Sequence, residues 1–544
     1  MTESEVGSTT TTPVAQPGGH RLVVVSNRLP VALTRADGGG WHSKPAAGGL
    51  VTALRPVLER RGGVWVGWPG VPASERGGIK AHLRSIAKGT PYSYAPVAVT
   101  HNEMRGYYHG FSNEILWPLF HDFVRSCVFE PDYWRSYVAV NRKFARATVA
   151  ELGEDDFVWV HDYHLMNVAK ELRALGVRNR IGLFLHIPFP SPDIFRKLPW
   201  RRDLLESLAD FDQVGFQTPR DRDNFLACAT SLLPGATLST GGPDMRVAIR
   251  QPGDSQSRSE AEERAAHELR VGSYPISIDF RCFAERAAGE RVESLSAYLH
   301  EQAGKRRIVL GVDRLDYSKG LPYKLAAFRK ALSRHRTLRK RVILVQHVVP
   351  SRENVPEYQR LRLEIERMVG EINGEFSTPG WVPVHYFYHT MDPIELSAYY
   401  RSADIALITP LKDGMNLVAK EYCACRIHDD GVLILSEFAG AAGELGAGAL
   451  VVNPFDVDAV ADRILRAFLM EPFEQRRRMS RMRRAIREND VYHWVETCLE
   501  LAEDAAGPAA GKAQPLAGLE LAPDAAAPPD ARADRPPQAR RHSA

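Results

Sequence analysis

The sequence Ile308-Val309-Leu310-Gly311-Val312-Asp313-Arg314-Leu315-Asp316-Tyr317-Ser318-Lys319-Gly320 joins an apolar strand to a charged loop. A helical pattern begins at about Leu321, so this stretch predicts one βα unit. Arg314 and Lys319 would then lie at the N-terminus of a helix, where backbone amides and side-chain charges both favour a phosphate or diphosphate. The alternative is a solvated loop with ordinary surface charges.

Similar units recur along the chain and predict an α/β fold with mainly parallel sheets. Apolar runs rich in Val, Ile and Leu alternate with longer segments of helical period. The predicted strands are 22–25, 64–66, 157–160, 181–185, 213–216, 308–312, 342–346, 384–387, 405–408, 432–435 and 450–452, and predicted helices include 132–152, 165–175 and 220–232.

The sequence predicts five segments. They are a disordered tail (1–20), two Rossmann-like domains (21–275 and 276–480), a helix that crosses back to the first domain (481–506) and a second disordered tail (507–544). Half of the residues from Gly507 to Ala544 are Ala or Pro and none is aromatic, which is too little apolar surface to offset chain entropy. A polar stretch at 241–270 is interpreted as a surface insertion.

The overall composition excludes several classes of protein. The 544 residues include 70 basic and 66 acidic ones, a net charge of +4, which disfavours a tail-type nucleic-acid binder. No apolar run approaches 18 residues and the start lacks a signal peptide, so we expect a cytoplasmic protein with no membrane or nucleic-acid partner. The six cysteines form no CxxC pair and are interpreted as reduced core residues.

Polar residues follow the predicted strands at unusual frequency. In open α/β sheets, ligands bind at the carboxyl ends of strands, so two such crevices would form a cleft between the domains. These residues are Ser26-Asn27-Arg28, Trp68, His161-Asp162, His186 and Gln217 in the first half, and Asp313-Arg314, His347, Thr409 and Ser436 in the second.

A second glycine-containing motif is Asp413-Gly414-Met415-Asn416-Leu417, followed by Glu421. Backbone amides at the start of this helix favour an anionic or hydroxyl-rich ligand, and the two carboxylates are suitable acceptors for polyol hydroxyls. Asp413 could instead only cap its helix, and Glu421 could be a solvated helix residue. Ala47-Gly48-Gly49-Leu50 is a weaker signal of the same kind.

Other site classes are disfavoured. The chain lacks both GxGxxG and GxxxxGK[ST], which argues against a dinucleotide oxidoreductase and a P-loop NTPase. His161 and His164 lack the glutamate of HExxH and a third ligand, so no metal is expected. Asp162 and Asp413 could form a glycosidase pair, but they lie in different predicted domains.

Together these motifs closely resemble the trehalose-6-phosphate synthases, which are retaining glycosyltransferases of the GT-B fold. The resemblance spans residues 21–501. It is carried by Val25-Ser26-Asn27-Arg28, Gly48-Gly49, Phe111-Ser112-Asn113, Leu116-Trp117-Pro118, His161-Asp162-Tyr163-His164-Leu165, Leu185-His186-Ile187-Pro188-Phe189-Pro190, the Arg314–Gly320 segment, Ser351-Arg352, the Asp413–Glu421 segment and Glu437-Phe438-Ala439-Gly440.

The resemblance implies transfer of glucose from a nucleoside-diphosphate glucose, usually UDP-glucose, to glucose 6-phosphate. The first domain would bind this acceptor and the second the sugar nucleotide. The acceptor residues it implies are Arg28, Tyr108, Trp117, Asp162 and Arg352, with Trp117 and Pro188 setting anomer selectivity. The residues implied for the sugar nucleotide are Gly48, Gly49, His186, Arg314, Lys319, Met391, Asp413, Gly414, Met415, Asn416, Leu417 and Glu421, and the implied catalytic set is Asp162, His186, Arg314, Lys319 and Asp413.

The implied chemistry needs neither a cofactor nor a metal, since fixed cations and a helix end can stabilise the leaving group. Because the segment His389-Thr390-Met391-Asp392 departs from the family pattern, ADP-glucose and GDP-glucose stay open as alternatives to UDP-glucose. A relative that uses glycerol 3-phosphate as acceptor and a catalytically silent sensor of sugar phosphates are the rival functions. A homodimer or homotetramer also stays open.

Overall fold

The computed structural model describes residues 21–36, 40–45, 49–75, 77–241, 244–249, 268–352 and 355–503. The predicted tails at 1–20 and 507–544 lie outside these residues. Within the described ranges, no helix is both long and apolar enough to cross a membrane.

The first sheet is built around strands whose residues are buried on both faces, as Val23, Val24 and Val25 show. Its nine strands lie in the order Tyr92–Pro96, Gly63–Trp68, Leu22–Arg28, Phe157–His161, Ile181–Phe184, Gln213–Phe216, Glu268–Ser273, Asp244–Ile249 and Ala236–Gly241. The first seven are parallel, and the last two form an antiparallel edge hairpin.

This edge hairpin corrects the interpretation of 241–270 as a surface insertion. Asp244–Ile249 and the strand Glu268–Ser273 pair within the sheet, and 242–243 and 250–267 lie outside the described residues. The polar composition reflects an antiparallel hairpin with one face open to solvent: Val247 is buried, whereas Arg246 forms an ion pair with Glu268 at 3.1 Å.

The second sheet is entirely parallel. Its six strands lie in the order Val384–Tyr388, Val342–Val349, Arg307–Arg314, Ile405–Ile408, Val432–Ser436 and Leu450–Val452. Taken in chain order this is 3-2-1-4-5-6, the doubly wound Rossmann arrangement, which has its ligand crevice between the first and fourth strands. The first sheet has the same order around Leu22–Arg28 and Phe157–His161, so each half carries one such crevice.

Helices cover both sheets and connect their strands. The longer ones are Gly49–Arg61, Ile79–Ile86, Pro131–Val149, Val168–Ala174, Arg201–Ala209, Pro219–Leu232, Phe280–Ala288, Glu290–Ala303, Leu321–Arg334, Pro356–Phe376, Pro393–Ser402, Leu417–Cys425, Val457–Leu469, Pro472–Glu488 and Val491–Glu503. The last of these packs Trp494 against Trp159 and Phe184 of the first sheet, with ring centroids 5.1 and 4.9 Å apart. The single helix predicted over 481–506 is instead covered by two helices, Pro472–Glu488 and Val491–Glu503, which Asn489 and Asp490 separate. The domain boundaries stay predictions.

The predicted α/β class with parallel sheets is confirmed, and each predicted strand has a counterpart. Several strands extend further than the apolar runs, because backbone pairing continues through polar residues at the carboxyl ends. Ser26 pairs with Gly67, and Asp313 pairs with Val348. The hairpin Val31–Arg35 with Trp41–Pro45, the strand Tyr92–Pro96 and the π-helix Met104–Leu116 were not predicted.

Candidate active site

The two crevices carry the residues that the sequence singled out. In the first sheet, Leu22–Arg28 ends in Arg28 and Phe157–His161 is followed by Asp162. In the second, Arg307–Arg314 ends in Arg314, and the chain after Ile405–Ile408 leads to Asp413. The doubly wound topology therefore explains why residues far apart in sequence lie at two specific strand ends.

Backbone contacts hold the two halves together beside this cleft. A Cβ atom on Gly414 would overlap the carbonyl oxygen of His186, and one on Gly440 would overlap the carbonyl oxygen of Gly414. The ion pair between Lys412 and Asp122, at 2.6 Å, also joins the halves. Glycine at 414 is thus required for the close approach of the second half to the His186 loop.

The indole of Trp117 lies close to two arginines. The guanidinium carbon of Arg352 is 4.4 Å from the ring centroid and that of Arg314 is 5.8 Å away. Trp117 is 5% exposed and begins the short helix Trp117–Phe120. One buried ring therefore brings a predicted acceptor cation and a predicted leaving-group cation to the same site.

A series of aromatic contacts connects two further predicted acceptor residues, Arg28 and Tyr108. The Arg28 guanidinium carbon lies 4.6 Å from the Trp68 ring centroid, and Trp68 meets Tyr108 edge-on at 6.1 Å. Tyr108 in turn stacks on His164 at 5.8 Å. Gly70, at φ +87°, leaves the space that the Arg28 guanidinium fills. Tyr108 lies in the π-helix Met104–Leu116, a wide turn of the kind found at functional sites.

Arg352 is held in the site by two phenol groups. It donates to the hydroxyl of Tyr358 at 2.5 Å and to that of Tyr163 at 3.4 Å. Burial alone would lower its pKa, but Tyr163, Tyr358 and Asp316 together raise it, so the guanidinium stays charged. The sequence did not single out these two tyrosines as site residues, because their role depends on contacts between distant segments.

Asp162 adopts a backbone conformation that favours glycine, with φ 74° and ψ 169°. Strain of this kind costs about 1–3 kcal/mol and persists mainly at functional sites. Its carboxylate accepts a hydrogen bond from the backbone N–H of His186 at 3.3 Å. Burial raises the pKa of Asp162 to about 6, against the opposing effect of these backbone hydrogen bonds, Arg314 and Arg352.

The raised pKa of Asp162 predicts how the stability of the protein depends on pH. Because folding raises the pKa from 3.8 to about 6, the folded protein holds the proton more tightly, and Asp162 destabilises the fold as pH rises through that range. We expect the unfolding free energy of Asp162→Asn, relative to that of wild type, to increase by up to about 3 kcal/mol as the pH rises from ~4 to ~6. Urea unfolding of both proteins at several pH values measures this.

Asp155→Asn, at an exposed position in the preceding loop, controls for the amide substitution itself. A stability difference between Asp162→Asn and wild type that does not change with pH would contradict this assignment.

Lys319 is not a free cation in the structure. It is 7% exposed, and its ammonium group pairs with the Asp413 carboxylate at 2.5 Å. Burial acts to raise the pKa of Asp413, but Lys319 and Arg314 lower it overall, so the carboxylate is ionised. Both predicted cations therefore lie at this helix start, where Arg314 is exposed and Lys319 also fixes Asp413.

The capping and solvation alternatives for the second motif are wrong. Asn416, at φ 74°, is the residue that precedes the helix Leu417–Cys425, and its side-chain amide donates to Asp413 at 3.0 Å. The Glu421 carboxylate accepts from the Tyr400 hydroxyl at 2.8 Å. Glu421 is partly buried and hydrogen-bonded, and burial raises its pKa, so it is not a freely solvated helix residue.

The structure places the other predicted residues as follows. His186 has both ring nitrogens near protein partners, His161 at 3.2 Å and Gln217 at 3.4 Å. Pro188 and Met415 are buried, whereas Met391 and Leu417 are partly buried against the second half. Gly49 begins the helix Gly49–Arg61, and Gly48 lies outside the described residues.

Known proteins resemble this chain along most of its length. The model of glycosyltransferase family 20 matches residues 20–504. The chain belongs to glycosyltransferase family 20. A trehalose-6-phosphate synthase from Mycolicibacterium vanbaalenii is 42% identical over 489 residues, which cover 90% of this chain and 97% of the relative.

Solved structures agree with this family membership. One is an alpha,alpha-trehalose-phosphate synthase (UDP-forming) from Burkholderia xenovorans in complex with glucose-6-phosphate, 35% identical, with a TM-score of 0.77 over 89% of this chain and 100% of that one. Another is the E. coli protein bound with UDP-2-fluoro glucose, also 35% identical, with a TM-score of 0.77 over 90% of this chain and 100% of that one.

The family 20 assignment confirms both the predicted GT-B architecture and the resemblance to trehalose-6-phosphate synthases. The chain is an enzyme of the hexosyltransferase class. Within this family 20 site, sequence reasoning singled out Trp68 by its position at the end of a strand but gave it no role. It missed the roles of Tyr163, Tyr358 and Gly440.

Proposed function

We propose that this enzyme transfers glucose from UDP-glucose to glucose 6-phosphate with retention of configuration, forming α,α-trehalose 6-phosphate. The observation that carries this proposal is the placement of Arg314 and Arg352 on one Trp117 ring. A reaction between two phosphorylated substrates needs two anion-binding groups in one site, and these two arginines supply them. The ligands named for the Burkholderia and E. coli structures support the same pair of substrates.

In this proposal, the domain 21–275 binds the acceptor and the domain 276–480 binds the sugar nucleotide, while the segment 481–506 returns to the first domain through the helix Val491–Glu503. Arg28, Tyr108 and Arg352 hold the 6-phosphate, and Asp162 orients acceptor hydroxyls. Trp117 and Pro188 shape the wall that selects the acceptor anomer. The buried aromatic contacts around Trp117 and Tyr108 support a rigid acceptor pocket.

On the other side of the cleft, Arg314 neutralises the diphosphate and Glu421 accepts from the ribose. Gly48, Gly49 and the segment Gly414–Leu417 approach the sugar nucleotide through their backbones, and Met391 lies beside the base. His186 and Asp413 hold the transferred glucose. Lys319 fixes Asp413 and adds to the positive potential near the diphosphate, which the 2.5 Å ion pair supports.

Bond changes follow on one face of the transferred glucose. The bond from its anomeric carbon to the diphosphate oxygen breaks, and the acceptor hydroxyl oxygen bonds to the same carbon from the same side. The acceptor proton passes to the departing phosphate oxygen. Arg314 stabilises the charge on that oxygen in the transition state, where preorganised positive groups contribute most.

A substrate screen tests the proposed function. UDP-, ADP- and GDP-glucose are each offered with glucose 6-phosphate or glycerol 3-phosphate, and the product linkage is determined by NMR. We expect UDP-glucose with glucose 6-phosphate to give the α,α-linked product at the highest kcat/KM. Faster transfer to glycerol 3-phosphate, or tight binding with no transfer, would overturn the proposal.

A further inference from the structure

A buried hydrogen-bond chain of three residues lies behind the catalytic cleft, and two of them, Gln217 and His161, have no role in the proposed chemistry. It runs from Gln217, which follows the strand Gln213–Phe216, through His186 to His161. The Gln217 amide nitrogen is 3.4 Å from Nδ1 of His186, and Nε2 of His186 is 3.2 Å from Nδ1 of His161. Gln217 and His161 are 2% and 0% exposed.

The orientation of the Gln217 amide is fixed by a backbone group. Its Oε1 accepts the N–H of Ile276 at 3.0 Å, and a backbone N–H can only donate. The Gln217 NH₂ group therefore faces His186. The Ile276 carbonyl in turn accepts from the fully buried Lys420 at 3.0 Å, and Lys420 pairs with Glu444 at 2.6 Å. The backbone of Ile276, near the predicted boundary between the two domains, is thus hydrogen-bonded by Gln217 from the first half and by Lys420 from the second.

This orientation leaves one arrangement of protons along the chain. Burial lowers the pKa of His186 to about 3 and the pKa of His161 well below its usual value, so both rings are neutral. Nδ1 of His186 accepts from Gln217, so the ring proton of His186 is on Nε2. That N–H donates to Nδ1 of His161, whose own proton is then on Nε2.

We infer that Gln217 is a positioning residue that fixes His186 in its Nε2–H tautomer. His186 then offers a hydrogen-bond donor at the nitrogen that Gln217 does not hold. In the free enzyme this N–H donates to His161, and when the sugar nucleotide binds it shares or exchanges that partner to donate to a hydroxyl oxygen of the transferred sugar. The last step rests on the proposed function, whereas the tautomer does not.

The variant Gln217→Glu tests the inference with almost no change in shape. One carboxylate oxygen can still accept from Ile276, but the other now faces Nδ1 of His186 and requires a proton there. We expect Nδ1 to become protonated and kcat to fall by about 10- to 100-fold, less than when a general base is held in the wrong tautomer. The KM for the sugar nucleotide should change less than kcat.

The readout is ¹⁵N NMR of histidine-labelled enzyme, with the His186 signals identified by their loss in His186→Asn. Gln213→Glu is the matched control, because it also places a carboxylate at a buried glutamine of the same strand, where the amide donates to the carbonyl of Cys498. We expect this control to leave both the tautomer of His186 and kcat close to wild type.

Protonated Nδ1 in wild-type His186, or an unchanged tautomer in Gln217→Glu, would overturn the inference. If Gln217→Glu does not fold, the wild-type spectrum and Gln217→Met, in which the bias toward Nε2–H should weaken, decide it. Because the NMR readout needs no substrate, a failure of the proposed function would leave the tautomer result intact and would appear only in the substrate screen.

Discussion

The substitution Arg314→Ala should reduce kcat about 100- to 1000-fold, equivalent to roughly 3–4 kcal/mol of transition-state stabilisation. Arg314 ends the central strand of the second sheet, has an exposed side chain and forms no ion pair within the described ranges of the chain. Its charge is therefore available to the leaving phosphate. The negative charge on the leaving phosphate develops as the glycosidic bond breaks, so Arg314 stabilises the transition state more than the bound substrate. We therefore expect kcat to fall by a larger factor than the KM for the sugar nucleotide rises.

Two variants make this measurement specific. Arg314→Lys keeps the charge but loses the fork geometry of the guanidinium, and we expect an intermediate kcat. Arg476→Ala removes an exposed arginine from the helix Pro472–Glu488 and should leave kcat near wild type. Steady-state kinetics and circular dichroism are measured for all variants. Unchanged turnover in well-folded Arg314→Ala would show that the leaving group is stabilised elsewhere.

The substitution Gly414→Ala should have an effect of similar size by a different route. Its Cβ would overlap the His186 carbonyl oxygen, and this atom belongs to a backbone that cannot rotate away. The Asp413–Asn416 loop must then move away from the His186 loop, and displacements of about 1 Å in a catalytic site can cost about 100-fold in rate. We expect kcat/KM to fall by about that factor or more.

Gly443→Ala is the matched control for this loop. It lies in the neighbouring short helix Ala442–Leu445, where an added Cβ would meet no atom within 4 Å. Its activity and thermal stability should equal those of wild type within error. If Gly414→Ala retains full activity, the close contact between the two halves is not needed for transfer.

Much of the fold was predictable because its strands are continuous apolar runs. A parallel sheet covered on both faces needs such runs, and Val23–Val25 and Ile405–Ile408 are examples. The same topology made part of the site predictable, since polar residues at the strand ends, such as Arg28 and Arg314, must converge on a crevice.

The parts of the site that could not be predicted depend on contacts between segments that lie far apart in the sequence. The pairing of Lys319 with Asp413 spans 94 residues, and Gln217 meets Ile276 across 59 residues. The strand Asp244–Ile249 belongs to the antiparallel edge hairpin and lacks the apolar pattern of a central strand, because one of its faces meets water. Its polar side chains therefore suggested an insertion instead of a strand.

The most direct measurement is a crystal structure of this enzyme with UDP and glucose 6-phosphate bound together. We expect the diphosphate within about 3 Å of the Arg314 guanidinium and the 6-phosphate within about 3 Å of Arg28 and Arg352, with Trp117 between the two ligands. Either phosphate group bound away from these arginines, with both ligands present, would contradict the assignment of the cleft to two phosphorylated substrates.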